Sequence, residues 1–316
     1  MQPAEELRVL TFLAVIGIVY ILAIVVAVKM ALARFGRLQL SRSRRQVWLR
    51  RLILGLAAFG LVCFGYARFV EPYWPEVSHV RIESRKIPPG NRPVRIVHIS
   101  DLHSDPEVRL EERLPDIVAA ERPDLIVFTG DAINSPAGLP VMRRCLTRLA
   151  SIAPTFVVRG NWDSWYWGNQ DLYGGTGAHV LDGAAEQLNI QGTNIWITGL
   201  AVGNEARMKE TLDVLPPDGF SIFLYHYPDA INEVAERQVD LYCAGHTHGG
   251  QVALPWYGAL VTLSRFGKKY EAGLYHVGAT ALYVNRGIGM EGGPAPRVRF
   301  CSRPEVTVIE LAPASQ

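Results

Sequence analysis

From residue 94 onward, short apolar runs alternate with longer stretches of mixed polarity. Residues 94–100, 125–129, 155–158, 195–200, 221–225 and 241–244 have the near-continuous apolar character of strands buried on both faces. Between them, residues 109–121, 139–150 and 230–237 place apolar side chains at helical spacing. Three later runs, 274–277, 281–284 and 306–311, are spaced more like antiparallel strands. The alternation predicts an α/β domain whose sheets are covered by helices. In such folds, function gathers in the loops that leave the strand ends.

The first seventy residues follow a different pattern. Residues 9–28 carry no charge and are long enough, as a helix, to cross a hydrocarbon core. Residues 52–67 form a shorter apolar run bounded by Arg50, Arg51 and Arg68, with Trp48, Tyr73 and Trp74 where an aromatic belt would sit. The segment before the first run contains Glu5 and Glu6 rather than a basic cluster, and the run is too long for a cleaved leader. A retained anchor is expected. The predicted organisation is a two-helix transmembrane anchor over residues 1–70, a stiff proline-rich connector over 71–93, and the α/β domain over 94–316.

Charge adds a direction. Residues 29–51 hold Lys29, Arg34, Arg37, Arg42, Arg44, Arg45, Arg50 and Arg51 with no acid, a local charge of +8. The positive-inside rule puts this loop in the cytoplasm. In the inner (cytoplasmic) membrane, everything after residue 70 would then be extracytoplasmic. Ser43-Arg44-Arg45-Gln46-Val47-Trp48-Leu49 also looks like a twin-arginine export signal, and a plain headgroup-binding loop would lie on the same side. The whole-chain charge of +2, less this +8, leaves −6 for the rest, the wrong sign for a nucleic-acid binder. The four cysteines have no metal-ligand spacing and assign no disulfide.

The chemistry lies at the strand ends. They carry Asp101-x-His103, Gly130-Asp131, Gly160-Asn161, His226 and Gly245-His246-x-His248, in that order. Carboxylate, amide and imidazole groups suit Mn²⁺, Fe or Zn²⁺ rather than Ca²⁺, and a set without cysteine is unlike a closed structural zinc site. Singly, each motif has a duller reading. An aspartate after a strand is more often a turn or cap residue, His226 alone a core histidine, and the glycines near His246 and His248 turn residues. The weight lies in the ordered set. His79, His98, His179 and His276 match no motif and are expected to be structural.

Over residues 96–250 this order resembles the calcineurin-like metallophosphoesterase superfamily. Gly245-His246-Thr247-His248-Gly249-Gly250-Gln251 and Asn285-Arg286-Gly287-Ile288-Gly289 look like its membrane-anchored bacterial subgroup. That subgroup includes cell-surface phosphodiesterases and a UDP-2,3-diacylglucosamine hydrolase of lipid A synthesis. The resemblance implies an αββα sandwich and two divalent ions, Mn²⁺ first, with Fe or Zn²⁺ as alternatives. It implies that Asp131 bridges the ions and holds the attacking hydroxide, with His226, His246 and Asn161 near the phosphate. Asp101, His103 and His248 would complete one site; Asn161, His226 and His246 the other.

One position departs from the family pattern. Gly-Asn is commonly followed there by a histidine that contacts the phosphate or protonates the leaving group, whereas this chain has Trp162. Indole donates one hydrogen bond but transfers no proton at neutral pH. A leaving group that needs little protonation, such as the phosphate of a pyrophosphate, would suit that change. Trp162 and its neighbours Trp165, Tyr166 and Trp167 are expected either to pack in the core or to line a substrate wall. Arg159 and Arg286 are candidates for a second phosphate. The expected function is hydrolysis of a phosphodiester or pyrophosphate in a lipid-linked or nucleotide-sugar substrate resembling UDP-2,3-diacylglucosamine. The alternatives are a broad extracytoplasmic phosphodiesterase of envelope polymers and a non-catalytic scaffold.

Overall fold

The computed structural model describes residues 2–90, 92–293 and 296–314. They form two compact units, divided between Val70 and Glu71.

The first unit is a helical hairpin of α1 (Pro3–Arg34) and α2 (Arg44–Phe69). A proline in the first turn and the Glu5 carboxylate, which accepts from the Gln2 N–H at 3.2 Å, start α1. Its 32 residues rise about 48 Å at 1.5 Å each. Both helices are long and apolar enough to cross a membrane. Their outer faces expose Leu13, Ile18, Ile21, Phe59, Val62 and Phe64, an apolar surface suited to lipid. The helices meet where the Tyr20 hydroxyl donates to the Ala57 carbonyl at 3.2 Å. Gly60 makes room there, since a Cβ would lie 2.7 Å from that hydroxyl. Helix α2 starts earlier than the apolar run suggests. Arg44, Arg45, Arg50 and Arg51 lie on its first turns because arginine is a good helix former, and apolarity marks only the span.

In the second unit the strands are β1 (Glu76–Ser84), β2 (Val94–Ile99), β3 (Leu125–Phe128), β4 (Thr155–Val157), β5 (His179–Val180), β6 (Ala185–Ile190) and β7 (Thr193–Leu200). They continue with β8 (Phe220–Tyr225), β9 (Leu241–Ala244), β10 (Ala253–Leu254), β11 (Gly258–Ala259), β12 (Gly273–Val277), β13 (Thr280–Val284) and β14 (Glu305–Pro313). The helices are α3 (Leu114–Ala120), α4 (Leu139–Ala150), α5 (Asn161–Trp165), α6 (Met208–Asp213) and α7 (Ile231–Glu236). One six-stranded sheet runs β1-β14-β2-β3-β4-β5 and the other β12-β13-β9-β8-β7-β6.

Alternation along the strands explains the layers. Ile96, Leu125, Val127 and Phe156 point inward from the first sheet and meet Ile195, Ile222, Leu224 and Leu241 of the second. Their neighbours Val97, Ile126, Phe128 and Val157 point outward against Leu114, Val118, Met142 and Leu146 of α3 and α4. On the far side, Phe223, Tyr242 and Leu282 pack on Met208, Leu212, Ile231 and Val234 of α6 and α7. Both faces of each sheet are buried, as the unbroken apolar runs require. The result is the expected αββα sandwich.

Three local expectations change. Residues 76–84, predicted within the connector, form β1 and pair in parallel with β14 along their whole length. The prolines at 75, 88 and 89 bracket an edge strand rather than stiffen a linker. The helix expected at 109–121 begins only at Leu114, with Pro115 in its first turn, and the Glu111 carboxylate instead accepts from the N–H groups of Arg109 and Leu110. The late strands are also mixed in direction. β13 pairs antiparallel with β12 but parallel with β9, and β14 pairs antiparallel with β2 but parallel with β1.

Candidate metal centre

Five parallel strands of the two sheets deliver the predicted residues to one place. Asp101 and His103 follow β2, Asp131 follows β3, Asn161 opens α5 after β4, His226 follows β8, and His246 and His248 follow β9. Five of these seven sit in the left-handed region: Asp101 (φ 50°), His103 (41°), Asp131 (58°), His246 (71°) and His248 (51°). Non-glycine residues enter that region rarely and at a cost, so their surroundings hold them there. The glycines between them serve close approach. A Cβ on Gly160 would lie 2.2 Å from Asp131 Oδ1, and one on Gly130 would lie 2.3 Å from the Gly160 nitrogen.

Asp101, His103 and His248 each bring one ligand atom within 4.8 Å of the others, and so do Asp101, Asp131 and His226. Asp131 Oδ2 lies 3.5 Å from His103 Nε2 and 3.3 Å from His226 Nε2. Asp101 Oδ1 lies 3.3 Å from His248 Nε2 and 3.9 Å from His226 Nε2. Asp101 therefore belongs to both groups, which the family resemblance does not suggest. His246 borders them, its ring 5.1 Å from that of His226 and 4.4 Å from that of Tyr227.

Three buried atoms in this cluster have no hydrogen-bond partner among the described residues: His103 Nε2, His226 Nε2 and Asn161 Oδ1. Leaving such atoms unpaired is costly. Three of them converging with two carboxylates have the donor set a pair of divalent cations requires. The opposite ring nitrogens are already held: His103 Nδ1 by Asn134 Oδ1 at 3.0 Å and His226 Nδ1 by the Thr129 carbonyl at 2.7 Å. Those contacts turn each Nε2 toward the centre.

Electrostatics agree with this geometry. Burial alone would raise the Asp101 carboxyl, but the facing rings of His248 and His226 hold it well below the usual carboxylate range. Burial, assisted by the charges of Asp163 and Asp101, pushes Asp131 up to about 6 against the pull of His226. Burial lowers His246 to about 3. His226 moves to about 9, because Asp131 and Asp101 outweigh its desolvation. Near neutral pH, the metal-free cluster therefore keeps a proton on His226 that a cation would displace.

Trp162 stands at the centre. Its backbone N–H donates to Asp131 Oδ1 at 2.8 Å, and its ring meets the His103 ring edge-on at 5.3 Å. Trp165 and Tyr166 are exposed, while Trp167 packs against the outer core. The two arginines proposed for phosphate are engaged elsewhere. Arg159 donates to the carbonyls of Trp167, Gly168 and Gln170, bracing the loop after α5. Arg286 is held by Glu76 at 2.9 Å and Glu305 at 3.2 Å. Both guanidiniums are thus held by protein groups in this structure. His98 is fully buried against the Thr129 hydroxyl at 3.0 Å, as a structural histidine would be.

Sequence reasoning passed over three supports. Asp163 accepts from the N–H groups of Asp131, Ala132 and Gly160 and from the Tyr173 hydroxyl. Its one sequence signal is its place three residues after Gly160, the capping-box spacing. Asn134 orients His103. Arg299, fully buried, donates to the carbonyls of Arg286, Gly287, Gly289 and Ser302 and reaches His248 Nδ1 at 3.4 Å.

Residues 94–250 match the family model described as calcineurin-like phosphoesterase. The uncharacterized metallophosphoesterase YkuE of Bacillus subtilis is 36% identical over 85% of this chain and 97% of its own length. Phosphodiesterase YaeI of Escherichia coli is 31% identical over 78% of this chain and 92% of its own. UDP-2,3-diacylglucosamine pyrophosphatase LpxG of Chlamydia trachomatis is 26% identical over 68% and 83%. A scaffold reading required missing ligands, whereas Asp101, His103, Asp131, His226 and His248 form two groups able to hold metal ions. On these grounds the chain belongs to the calcineurin-like metallophosphoesterase family, as a metal-dependent phosphoester hydrolase with a two-metal site of aspartate and histidine.

Proposed function

We propose that this chain is a membrane-anchored hydrolase that cleaves a pyrophosphate or phosphodiester bond in a lipid-linked or nucleotide-sugar substrate. The observation that carries the reading is the convergence of the unpartnered His103 Nε2, His226 Nε2 and Asn161 Oδ1 on Asp101 and Asp131. Two cations bound there would acidify a water and stabilise charge on the attacking and leaving oxygens of an in-line displacement at phosphorus. Asp131 is the residue suited to bridging. Trp162 N–H occupies its Oδ1, leaving Oδ2 between His103 and His226. Asp101, His103 and His248 would hold one cation, and Asn161, His226 and His246 would complete the other. Manganese fits this set, as do iron and zinc.

Trp162 narrows the substrate. It fills the place beside His103 with a group that cannot give up a proton, so no acid from that position serves the leaving oxygen. A phosphate leaving from a pyrophosphate needs no such help, and the LpxG relative is named for a pyrophosphatase. Trp162→His should therefore raise turnover of an alkyl phosphodiester about 10-fold, a modest part of the usual general-acid contribution. It should not help the p-nitrophenyl diester. Equal effects on both would remove the leaving-group argument.

The decisive assay compares UDP-2,3-diacylglucosamine with bis-p-nitrophenyl phosphate, using the full chain with Mn²⁺. Cleavage of neither refutes the reading. Cleavage of the simple diester alone favours the alternative, an extracytoplasmic phosphodiesterase of envelope polymers, consistent with the name of the YaeI relative. Topology bears on the choice, because the +8 segment favours an extracytoplasmic domain and a nucleotide-linked glucosamine arises in the cytoplasm. Alkaline phosphatase fused after residue 70 should be active and a fluorescent protein there dark; the reverse pattern overturns this orientation.

A further inference from the structure

The expected connector over residues 71–93 turns out to be part of the folded domain, so that domain follows α2 directly along the chain. Val70 caps α2, and Glu71 already belongs to the second unit. Glu71 is buried, and its carboxylate accepts from the N–H groups of Cys301 and Ser302. The Ser302 hydroxyl in turn donates to the His248 carbonyl at 2.6 Å. Arg299 ties the same two residues together, donating to the Ser302 carbonyl at 2.9 Å and facing His248 Nδ1 at 3.4 Å. The metal-ligand loop is thus two hydrogen bonds from the first residue after the apolar helix.

The surface around that point has the composition of a membrane interface. Tyr73 and Trp74 are 42% and 54% exposed. The Arg303 guanidinium lies 4.2 Å over the Trp74 ring and donates to the Trp74 and Pro75 carbonyls. Arg297 pairs with Asp105, Asp105 accepts from the Asn134 side chain at 3.3 Å, and Asn134 holds His103. His248 is thus tied through Ser302 to Glu71, two residues before Tyr73, and His103 through Asn134 and Asp105 to Arg297. Amphipathic rings and arginines together suit an anionic headgroup layer. Trp74, four residues past Val70, stays within about 14 Å of the helix end along the chain.

We propose that this surface docks on the anionic headgroups of the same bilayer that holds α1 and α2, so that the metal centre acts in cis on phosphoesters of lipids in that membrane. The proposal rests on the hydrolase and anchor readings above. It adds where the substrate comes from.

The test reconstitutes the full chain with Mn²⁺ in phosphatidylcholine–phosphatidylglycerol vesicles carrying a phosphatidyl p-nitrophenyl diester. The same lipid is then offered in separate, protein-free vesicles, and bis-p-nitrophenyl phosphate serves as the soluble control. Same-vesicle turnover should exceed separate-vesicle turnover at least 10-fold. Tyr73→Ser with Trp74→Ser and Arg303→Gln should lower same-vesicle turnover about 10-fold and leave the soluble diester within twofold. A 20-residue Gly-Ser spacer between Val70 and Glu71, which alters no residue of the folded domain, should do the same. Equal same- and separate-vesicle rates overturn docking. So does parallel loss on both substrates in the surface variant, or a spacer without effect. Cleavage of the soluble diester with refusal of the lipid also sinks this proposal while sparing the hydrolase reading. Cleavage of neither sinks both.

Discussion

Asp131→Asn is expected to lower turnover of bis-p-nitrophenyl phosphate about 10³-fold and to leave fewer than two metal ions per chain. Two-metal stabilisation of transition-state charge amounts to several kcal/mol, and about 4 kcal/mol corresponds to about 10³ in rate. The asparagine keeps the shape of the residue and can accept the Trp162 N–H, and asparagine tolerates the left-handed backbone at this position. What it removes is the charge of Oδ2 between His103 and His226. Without metal the change in stability should be small. Burial, with Asp163 and Asp101, pushes Asp131 up to about 6, so its ionised form opposes folding near neutral pH, but the same charge raises His226 to about 9 and so favours folding. The metal-free variant should therefore melt close to the metal-free parent, while metal protects it less. Wild-type turnover with two bound ions would rule out the bridging role.

Asp163→Asn should cost both stability and rate, by a different route. Its carboxylate gathers three backbone N–H groups, from Asp131, Ala132 and Gly160 at 2.8, 2.8 and 3.0 Å, and the Tyr173 hydroxyl at 3.0 Å. An amide can place only one oxygen there and turns a donor toward donors. Hydrogen bonds to a charged group are each worth about 1.5–3 kcal/mol, so a net loss of about 3 kcal/mol is expected. For a unit of this size, that is a fall in Tm of roughly 6–12 °C. Activity should drop about 10- to 100-fold, the usual range for a residue that orients metal ligands. Excess Mn²⁺ should recover part of the rate and leave the metal-free Tm low. An unchanged metal-free Tm would show that Asp163 does not hold the two loops together.

The ligands were legible because each directly follows an apolar strand, so local pattern and chemistry coincide. The αββα layers were legible for the same reason, since unbroken runs such as residues 94–99 demand cover on both faces. The supports were harder to see. Asn134 reaches His103 across 31 residues and Arg299 reaches His248 across 51, and no periodicity encodes such pairs. The partners of Arg159 and Arg286 were as hard to read, because a guanidinium can be engaged by carbonyls or carboxylates that no local pattern announces. The prolines around β1 misled. Proline marks the ends of an edge strand as readily as it marks a linker.

That edge strand also decides where the molecule can be cut. A fragment beginning at residue 94, where the family match starts, would discard β1 and leave the other edge of β14, away from β2, unpaired along nine residues. It would also strip Glu76 from Arg286 and Ser78 from Glu305. A long, open strand of that kind, with Val306, Val308 and Ile309 beside it, is a template for chain-to-chain pairing. The same truncation would remove Glu71 from behind His248. A fragment meant for purification should therefore start at Glu71, so that the sheet stays capped and the metal loop keeps its backing.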